Sequence, residues 1–165
     1  MNKTVVVIPT YNEADNLPAI TAALFALPLP ELEILIVDDA SPDGTGKLAD
    51  QFAEQYKGRF HVMHRAGKQG LGTAYLQGFD WALQQGAQNI IQMDADFSHS
   101  PDYLPQMLAL ISDYDVVVGS RYVRGGRAQV PLLRLLPSRV LNAVFSRGLD
   151  LRVRDMSSGF RLYRA

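Results

Sequence analysis

The sequence predicts an α/β fold with a mostly parallel central sheet flanked by helices. Short runs rich in β-branched residues alternate with amphipathic stretches, an order that is typical of parallel sheets. The runs are apolar throughout instead of alternating with polar residues, as expected for strands that are covered on both faces. A length of 165 residues suits one domain with a sizeable core.

Five runs are predicted as strands, and four amphipathic stretches between or after them are predicted as helices. The strands are 4–10, 33–39, 61–65, 89–96 and 115–121, and the helices lie near 14–27, 45–57, 71–85 and 102–112. Gly44, Gly70 and Pro101 mark helix starts, whereas Gly58 and Gly86 mark helix ends.

The last part of the chain has a different composition. After Arg121 the sequence is rich in glycine and then strongly apolar with interspersed arginines. This pattern predicts a loop followed by one or two amphipathic helices, broken or kinked at Pro137. We find no internal repeat, low-complexity tract or interdomain linker.

Charge is divided unevenly along the chain. Residues 1–120 contain 6 basic and 15 acidic residues, whereas residues 121–165 contain 10 arginines and 2 acidic residues. Such a division favours a cation in the acidic part and an anionic ligand or surface for the basic part. The alternative is that the arginines neutralise the acidic part within one fold. Cysteine is absent, which excludes disulfides and thiolate metal sites.

Polar clusters follow four of the predicted strands. They read "PTYNE", "VDDASPDG", "DADFSH" and "GSR". Ligands of open α/β sheets bind beyond the carboxyl ends of the strands, near the point where the strand order reverses. The sequence therefore predicts a ligand site at this edge of the sheet.

Asp94 and Asp96 stand one residue apart at the end of the fourth strand. Two carboxylates so close raise each other's pKa and cost stability unless something positive compensates them. Mg²⁺ and Mn²⁺ prefer hard oxygen ligands, so a divalent cation fits this pair. A solvated loop is the alternative, but the position at the ligand edge favours the cation.

Other motifs are less specific. Of Asp38 and Asp39, one is expected to bond a sugar or base hydroxyl and the other to cap the following turn. "GKQGLGTAY" places glycines and Lys68 at a helix start, where backbone amides suit a phosphate, although a plain tight turn fits equally well. "SPDGTGK" fails as a P-loop.

The three histidines lack the spacing of a metal-ligand set. His61 and His64 are expected to have structural roles in a strand, and His99 to touch the outer shell of a metal or a phosphate. No serine–histidine–acid order or cysteine nucleophile is evident, which disfavours hydrolase chemistry. A phospho-signalling receiver domain, also α/β, is disfavoured because its acid pair would follow the first strand, which here ends "PTYNE".

Six motifs in order carry a resemblance to a known family. "IPTYNE", "VDDASPDGT", "GLGTAYLQG", "DADFSHSP", "GSRYVRGG" and "RDMSSGFRLYR" resemble family-two glycosyltransferases, which have the nucleotide-diphospho-sugar transferase (GT-A, Rossmann-like) fold. The most similar branch is that of the dolichyl- or polyprenyl-phosphate mannosyltransferases. The resemblance implies an inverting, metal-dependent transfer of a hexose, typically mannose from GDP-mannose, onto a polyprenyl phosphate.

The resemblance also implies roles for residues at matching motif positions. The implied nucleotide-sugar contacts are Pro9, Tyr11, Glu13, Val37, Asp39, Asp94, Ala95 and Asp96. Mg²⁺ or Mn²⁺ would be held by Asp94 and Asp96, with Ser98 in the position of a further ligand. The implied acceptor-phosphate contacts are Arg121, Arg134 and Ser138, with Arg139 as the alternative if the register is off by a turn. Asp96 and Arg121 are the implied catalytic residues.

The segment "SSGFRLY" is open to two interpretations. Ser158, Gly159 and Arg161 either line the acceptor end or form a structural turn. Residues 1–165 are expected to be one catalytic domain, with a nucleotide-sugar part over 1–100 and an arginine-rich acceptor part over 115–165. Because family members usually continue past this segment, the chain is either a C-terminally truncated fragment or a minimal enzyme.

The expected location is the cytoplasmic face of a membrane, bound peripherally. No apolar run reaches the roughly 18 residues of a membrane span, and the amino-terminal "TVVVI" is too short for a signal peptide. The apolar "VPLLRLLP" would lie on the bilayer surface or, alternatively, form a core helix. No nucleic-acid partner is expected. Alternative functions are glucose transfer from UDP-glucose to a polyprenyl phosphate and nucleotide-sugar binding without catalysis.

Overall fold

The predicted alternation of strands and helices is confirmed in the protein. The structure, a computed structural model, describes residues 3–120, 155 and 157–165. Within them the strands are β1 (Thr4–Thr10), β2 (Leu32–Asp38), β3 (Phe60–His64), β4 (Asn89–Gln92), β5 (Val116–Val118) and β6 (Arg161–Arg164). The helices are α1 (Leu17–Phe25), α2 (Thr45–Gln55), α3 (Leu71–Gln84) and α4 (Leu104–Leu110), the last preceded by a 3-10 turn at Pro101–Tyr103. The predicted loop and helices after Arg121 lie outside the described residues.

The described strands form one sheet in the order β3-β2-β1-β4-β6-β5. Strand β1 pairs in parallel with β2 on one side and with β4 on the other. The chain therefore moves outward from β1 to β3 and then crosses back to β4, which makes the β1–β4 boundary the switch point of the sheet. Crevices at such points are where α/β sheets bind ligands.

The central strand β1 is covered on both faces, as its unbroken apolar sequence predicts. Val6 and Ile8 face one core layer, which also contains side chains of α1, α2 and α4. Val5 and Val7 face a second layer formed with α3. All four side chains are fully buried, so the sheet gives the edge loops a rigid base.

The last strand, β6, is absent from the sequence-based prediction. It runs antiparallel between β4 and β5 and separates them. The predicted fifth strand is therefore at the edge of the sheet, and the expectation that both its faces are covered was wrong: Val116 is 45% exposed. The sequence signal for β6 is short: apolar Phe160 and Leu162 alternate with Arg161 and Tyr163, and the structure buries the first two more deeply.

Glycine is the N-cap residue of two helices, at positions that were predicted as helix starts. Gly44 and Gly70 cap the starts of α2 and α3 with φ of 94° and 98°, a range that favours glycine. Gly78, inside α3, has a different role: a Cβ there would lie 2.4 Å from Val7 Cγ1. Helix α3 therefore packs directly on β1 because this side chain is missing.

Helix α1 begins later than predicted. The amides of Glu13 and Ala14 donate to Thr45 Oγ1 and Asp43 Oδ2 in the loop after β2, at 2.9 and 3.0 Å. These bonds hold the first predicted turn in a loop conformation. Across residues 3–120, 155 and 157–165, no helix has the length and apolar character needed to cross a bilayer.

Candidate functional site

Three loops meet at the carboxyl edge of the sheet, where the site was predicted. They follow β1, β2 and β4, and each contains a non-glycine residue with positive φ: Asn12 at 63°, Ala40 at 56° and Phe97 at 59°. Backbone in this region costs of order 1–3 kcal/mol per residue and is concentrated at functional sites. The three residues with strained backbone therefore lie at the same edge of the sheet as the polar motifs.

Asp38 stabilises the turn after β2. Its carboxylate accepts hydrogen bonds from the hydroxyl groups of Thr10, at 3.2 Å, and Ser41, at 2.5 Å, and from the Ser41 amide. Its side chain is buried. Of the two neighbouring acids, Asp38 is therefore the one that has the capping role, and the role of Asp39 toward a ligand stays a prediction.

Asp39 is paired with an arginine that the sequence analysis did not single out. Arg65, the first residue after β3, places Nη1 2.9 Å from Asp39 Oδ1, and the side chains are 3% and 9% exposed, respectively. Arg65 Nη2 also donates to Thr73 Oγ1 at 2.7 Å and to Gln69 Oε1 at 3.3 Å. The position of this basic residue at the end of the predicted strand 61–65 was the available signal.

The Asp39–Arg65 contact is an ion pair and lacks the alignment of a hydrogen bond. Within the described residues, neither Asp39 Oδ1 nor Arg65 Nε has a hydrogen-bond partner, although both are buried. Buried polar atoms are normally hydrogen-bonded. Arg65 thus holds Asp39 and the start of α3 in place. Its Nε–H has no hydrogen-bond partner within the described residues.

The loop between β3 and α3 also reaches the end of β1. Lys68 Nζ lies 4.0 Å from the centre of the Tyr11 ring, a cation–π contact, and Tyr11 is 38% exposed. The loop after β3 thus contacts the loop after β1 through Lys68 and the loop after β2 through the Arg65–Asp39 ion pair. Of the other predicted nucleotide contacts, Val37 and Ala95 have buried side chains, and Pro9 lies near the end of β1.

Glu13 lies in the same set of loops. Its amide donates to Thr45 Oγ1, and its carboxylate accepts a 2.7 Å hydrogen bond from Asn16 Nδ2.

Asp43 connects the loops after β1 and β2 by hydrogen bonds. The hydrogen bond from the Thr45 hydroxyl lowers the pKa of Asp43; desolvation opposes this, and hydrogen bonds from backbone amides add to the lowering. Its carboxylate is therefore ionised at neutral pH and keeps the two loops together.

Asp94 follows β4 and is held from two sides. Tyr75 donates its hydroxyl hydrogen to Asp94 Oδ1 at 2.8 Å, and His99 Nδ1 lies 3.6 Å from Oδ2. The Met93 amide donates to Val7 O, and Gln92 is paired with Val7 on β1. Two residues further along each strand, Asp94 is therefore level with Pro9. Burial, followed by the charge and hydrogen bond of Asp94, raises the pKa of Tyr75 far above its ordinary value, so its hydroxyl stays protonated.

Asp96 is the more exposed of the two acids. The Ser98 amide donates to Asp96 Oδ1 at 2.9 Å. Partial burial opposes ionisation, but hydrogen bonds from the Ser98 hydroxyl and amide, with the nearby His99, lower the pKa of Asp96 below its usual value. The two neighbouring carboxylates are thus tolerated because separate donors stabilise each of them.

The acid pair fits a divalent cation as a partial ligand set. Within the described residues, no three acidic or histidine side chains form a group that could hold a metal ion alone. Mg²⁺ is typically bound through one or two carboxylates, with substrate phosphates and water completing its shell. Asp96, ionised and exposed, suits this arrangement, whereas Ser98 as a further ligand remains a prediction.

The segment after Asp155 contacts the loop that carries the acids. The Phe160 ring stacks on His99 at 5.1 Å, and a Cβ on Gly159 would lie 3.6 Å from Asp94 Oδ2. Ser158 Oγ donates to Gly119 O at 2.6 Å. The segment is therefore a turn held by hydrogen bonds, which agrees with its interpretation as a structural turn. It also lies against Asp94.

The three histidines lie within the described residues, whereas the predicted acceptor contacts do not. His61 bonds to Glu33 at 3.0 Å and His64 to Asp50 at 2.8 Å, which agrees with structural roles. His99 accepts a hydrogen bond from the Asp94 amide at Nδ1. The predicted acceptor contacts, Arg121, Arg134 and Ser138 with the alternative Arg139, lie outside the described residues.

A parallel α/β sheet with paired acids at its switch point defines a domain of the GT-A class, the fold of many nucleotide-sugar transferases. The chain belongs to glycosyl transferase family 2, whose family model matches residues 5–165. The family resemblance of the six motifs is thereby confirmed.

Two curated relatives are similar to nearly the whole chain. The polyprenol monophosphomannose synthase of Mycolicibacterium smegmatis is 46% identical over 98% of this chain and 62% of its own length. The undecaprenyl-phosphate mannosyltransferase of Micrococcus luteus is 42% identical over 99% of this chain and 67% of its own length. The chain thus spans about two thirds of the length of these relatives.

Solved structures share the fold. Mannosyl-3-phosphoglycerate synthase from Rubrobacter xylanophilus is similar with a TM-score of 0.72 and 20% identity, over 99% of this chain and 53% of its own. A mannosyltransferase from Pyrobaculum calidifontis, in complex with GDP-Man and Mn²⁺, has a TM-score of 0.59 and 24% identity, over 72% of this chain and 35% of its own. The GT-A fold is therefore established.

Proposed function

We propose that this chain transfers a hexose from a nucleotide sugar to a polyprenyl phosphate, with mannose from GDP-mannose as the preferred donor. The observation that carries the proposal is the convergence of Tyr11, Asp39 and Asp94 on the switch-point edge of the sheet. The two curated relatives, named for mannosyl transfer to polyprenyl phosphates, support the choice of sugar and acceptor.

The proposed donor site places the nucleotide over the ends of β1 and β2. Tyr11 offers a partly exposed aromatic ring, and Asp39, directly after β2, offers a carboxylate that Arg65 holds in place. A carboxylate in this position of α/β sheets bonds ribose hydroxyls. The diphosphate then lies toward Asp94 and Asp96, at the end of β4 on the other side of β1.

Asp94 and Asp96 are proposed to hold a divalent cation, Mg²⁺ or Mn²⁺, together with the diphosphate. Such an ion acts as a Lewis acid that stabilises negative charge on the departing nucleotide diphosphate. The contribution of the chain is to present Asp96 ionised and oriented by Ser98, and Asp94 oriented by Tyr75. The orientation of both carboxylates is thus fixed before the donor binds.

The proposed reaction needs no general base. A phosphate oxygen of the lipid attacks the anomeric carbon, that carbon's bond to the diphosphate breaks, and the nucleoside diphosphate leaves with the bonding electrons. A phosphate monoester is already anionic near neutral pH because its second pKa is about 6. Arginine is well suited to orient such a group, which is the proposed role of Arg121, Arg134 and Ser138 in the acceptor part.

The function is tested by transfer of labelled sugar to a polyprenyl phosphate. We expect product from GDP-mannose in the presence of Mg²⁺ or Mn²⁺, and loss of product when a chelator is added. Product from UDP-glucose alone would instead support the glucosyltransferase alternative. Binding of GDP or UDP without transfer to any polyprenyl phosphate would contradict the proposed reaction and support a non-catalytic nucleotide-sugar-binding piece.

We also propose peripheral binding to the cytoplasmic face of a membrane, because the proposed acceptor is a membrane lipid. The sequence "VPLLRLLP" offers leucines for the bilayer and an arginine for the headgroups. The chain should sediment with vesicles that contain anionic phospholipid. The double variant Leu132→Glu, Leu135→Glu should stay in the supernatant. Unchanged sedimentation of a folded double variant would contradict this mode of binding.

A further inference from the structure

We propose that Tyr75 is a positioning residue that fixes the Asp94 carboxylate for the nucleotide-sugar donor. The inference rests on the proposed function and names a residue to which the sequence analysis assigned no role. Tyr75 lies in the second turn of α3, and its ring is buried in the core layer between α3 and the sheet. Its hydroxyl reaches the end of β4 and meets Asp94.

The geometry favours the carboxylate as the partner of this hydroxyl. The Tyr75 oxygen lies 2.8 Å from Asp94 Oδ1 and 3.2 Å from Met93 O. A hydroxyl has one hydrogen to donate, and a bond to an ionised acceptor is roughly twice as strong as one to a neutral acceptor. The backbone carbonyl would satisfy a buried tyrosine, yet the shorter contact is made to the side chain of the site.

The bond fixes Asp94 without covering it. The Asp94 side chain remains 39% exposed, so a ligand at the sheet edge can reach it. Oδ1 is held by Tyr75, and Oδ2 lies near His99, whose ring is in turn stacked on Phe160. The carboxylate is thus restrained from the α3 side and from the segment that contains Gly159, and it remains partly open to a ligand.

This arrangement has an expected energetic consequence for ligand binding. A carboxylate free to rotate must be ordered when the ligand binds, whereas one already held by a second residue need not be. Loss of partners that orient such side chains typically costs about 10- to 100-fold in affinity or activity. Tyr75→Phe removes the hydroxyl and keeps the ring, so the change isolates this one bond.

The experiment measures GDP binding by calorimetry in the presence of Mn²⁺, together with kcat and KM for the donor. In Tyr75→Phe we expect GDP to bind about 10-fold more weakly and KM for the donor to rise, while the unfolding midpoint changes little. The matched control is Tyr163→Phe, which also loses one tyrosine hydrogen bond, to Gln92 Oε1 at 3.3 Å, and should bind GDP normally.

A double-variant cycle separates positioning from a general structural role. If Tyr75 acts through Asp94, Tyr75→Phe should have no further effect on GDP binding in an Asp94→Asn background. Unchanged GDP binding in Tyr75→Phe, or losses that add fully with Asp94→Asn, would overturn the inference alone. Wild-type protein that binds GDP without sugar transfer would overturn only the proposed function, and absence of GDP and UDP binding would overturn both.

Discussion

Asp96→Asn should reduce sugar transfer by about 100- to 1,000-fold, the range typical for loss of one preorganised electrostatic contact at a reacting centre. Asp96 is ionised and exposed at the site edge, with a pKa held below its usual value chiefly by hydrogen bonds from Ser98 that outweigh partial burial. Asparagine keeps the shape and an oxygen for the Ser98 amide. The substitution therefore removes the charge and leaves the loop intact.

The measurement is the initial rate of labelled-sugar transfer at saturating Mn²⁺, with circular dichroism to show that the variant is folded. Asp80→Asn is the matched control, since Asp80 is an exposed acid on α3. We expect this control to keep the wild-type rate. A rate in Asp96→Asn near that of the control would exclude the role that we assign to Asp96.

Arg65→Met should lower the free energy of unfolding by about 3–5 kcal/mol, because it leaves Asp39 buried without a counter-charge. Domains of this kind are stable by only about 5–15 kcal/mol, so such a loss is a large fraction of the total. The side chains of the pair are 3% and 9% exposed, so water offers little compensation. Hydrogen bonds from Arg65 to Gln69 and Thr73 are lost as well.

Chemical denaturation of Arg65→Met, Asp39→Asn and the double variant tests this expectation. Replacing both members of a buried ion pair is often far less costly than replacing one, so the double variant should recover much of the stability. Arg59→Met is the control: Arg59 donates to Leu32 O and lies over the Phe25 ring, with no carboxylate partner in the described residues. Equal losses for Arg65→Met and Arg59→Met would contradict the assigned cause.

The two residues bear on function in different ways. In the proposed site Asp96 faces the donor directly, so its replacement should lower kcat with a small change in stability. Arg65 acts through Asp39 and through the loop that carries Lys68, so its replacement should affect stability and donor affinity together. The two variants thus distinguish the proposed site residue from the residue proposed to support the site.

The sequence by itself determined the α/β class, the polar clusters that follow β1, β2 and β4, and the family. Unbroken apolar runs such as that of β1, and glycines such as Gly44 and Gly70, are local signals that need no knowledge of distant contacts. The motifs around Tyr11, Asp39 and Asp94 are likewise contiguous in the chain. For this reason the location of the site was predictable.

Only the tertiary structure decided which side chains support the site. Strand β6 enters the sheet between β4 and β5 because strand pairing joins segments far apart in the chain, and a four-residue strand carries little local signal. The partners Arg65–Asp39 and Tyr75–Asp94 are set in the same way by packing of β3 and α3 against the sheet. Periodicity specifies which face of an element is buried, whereas the polar contacts across elements depend on their packed positions.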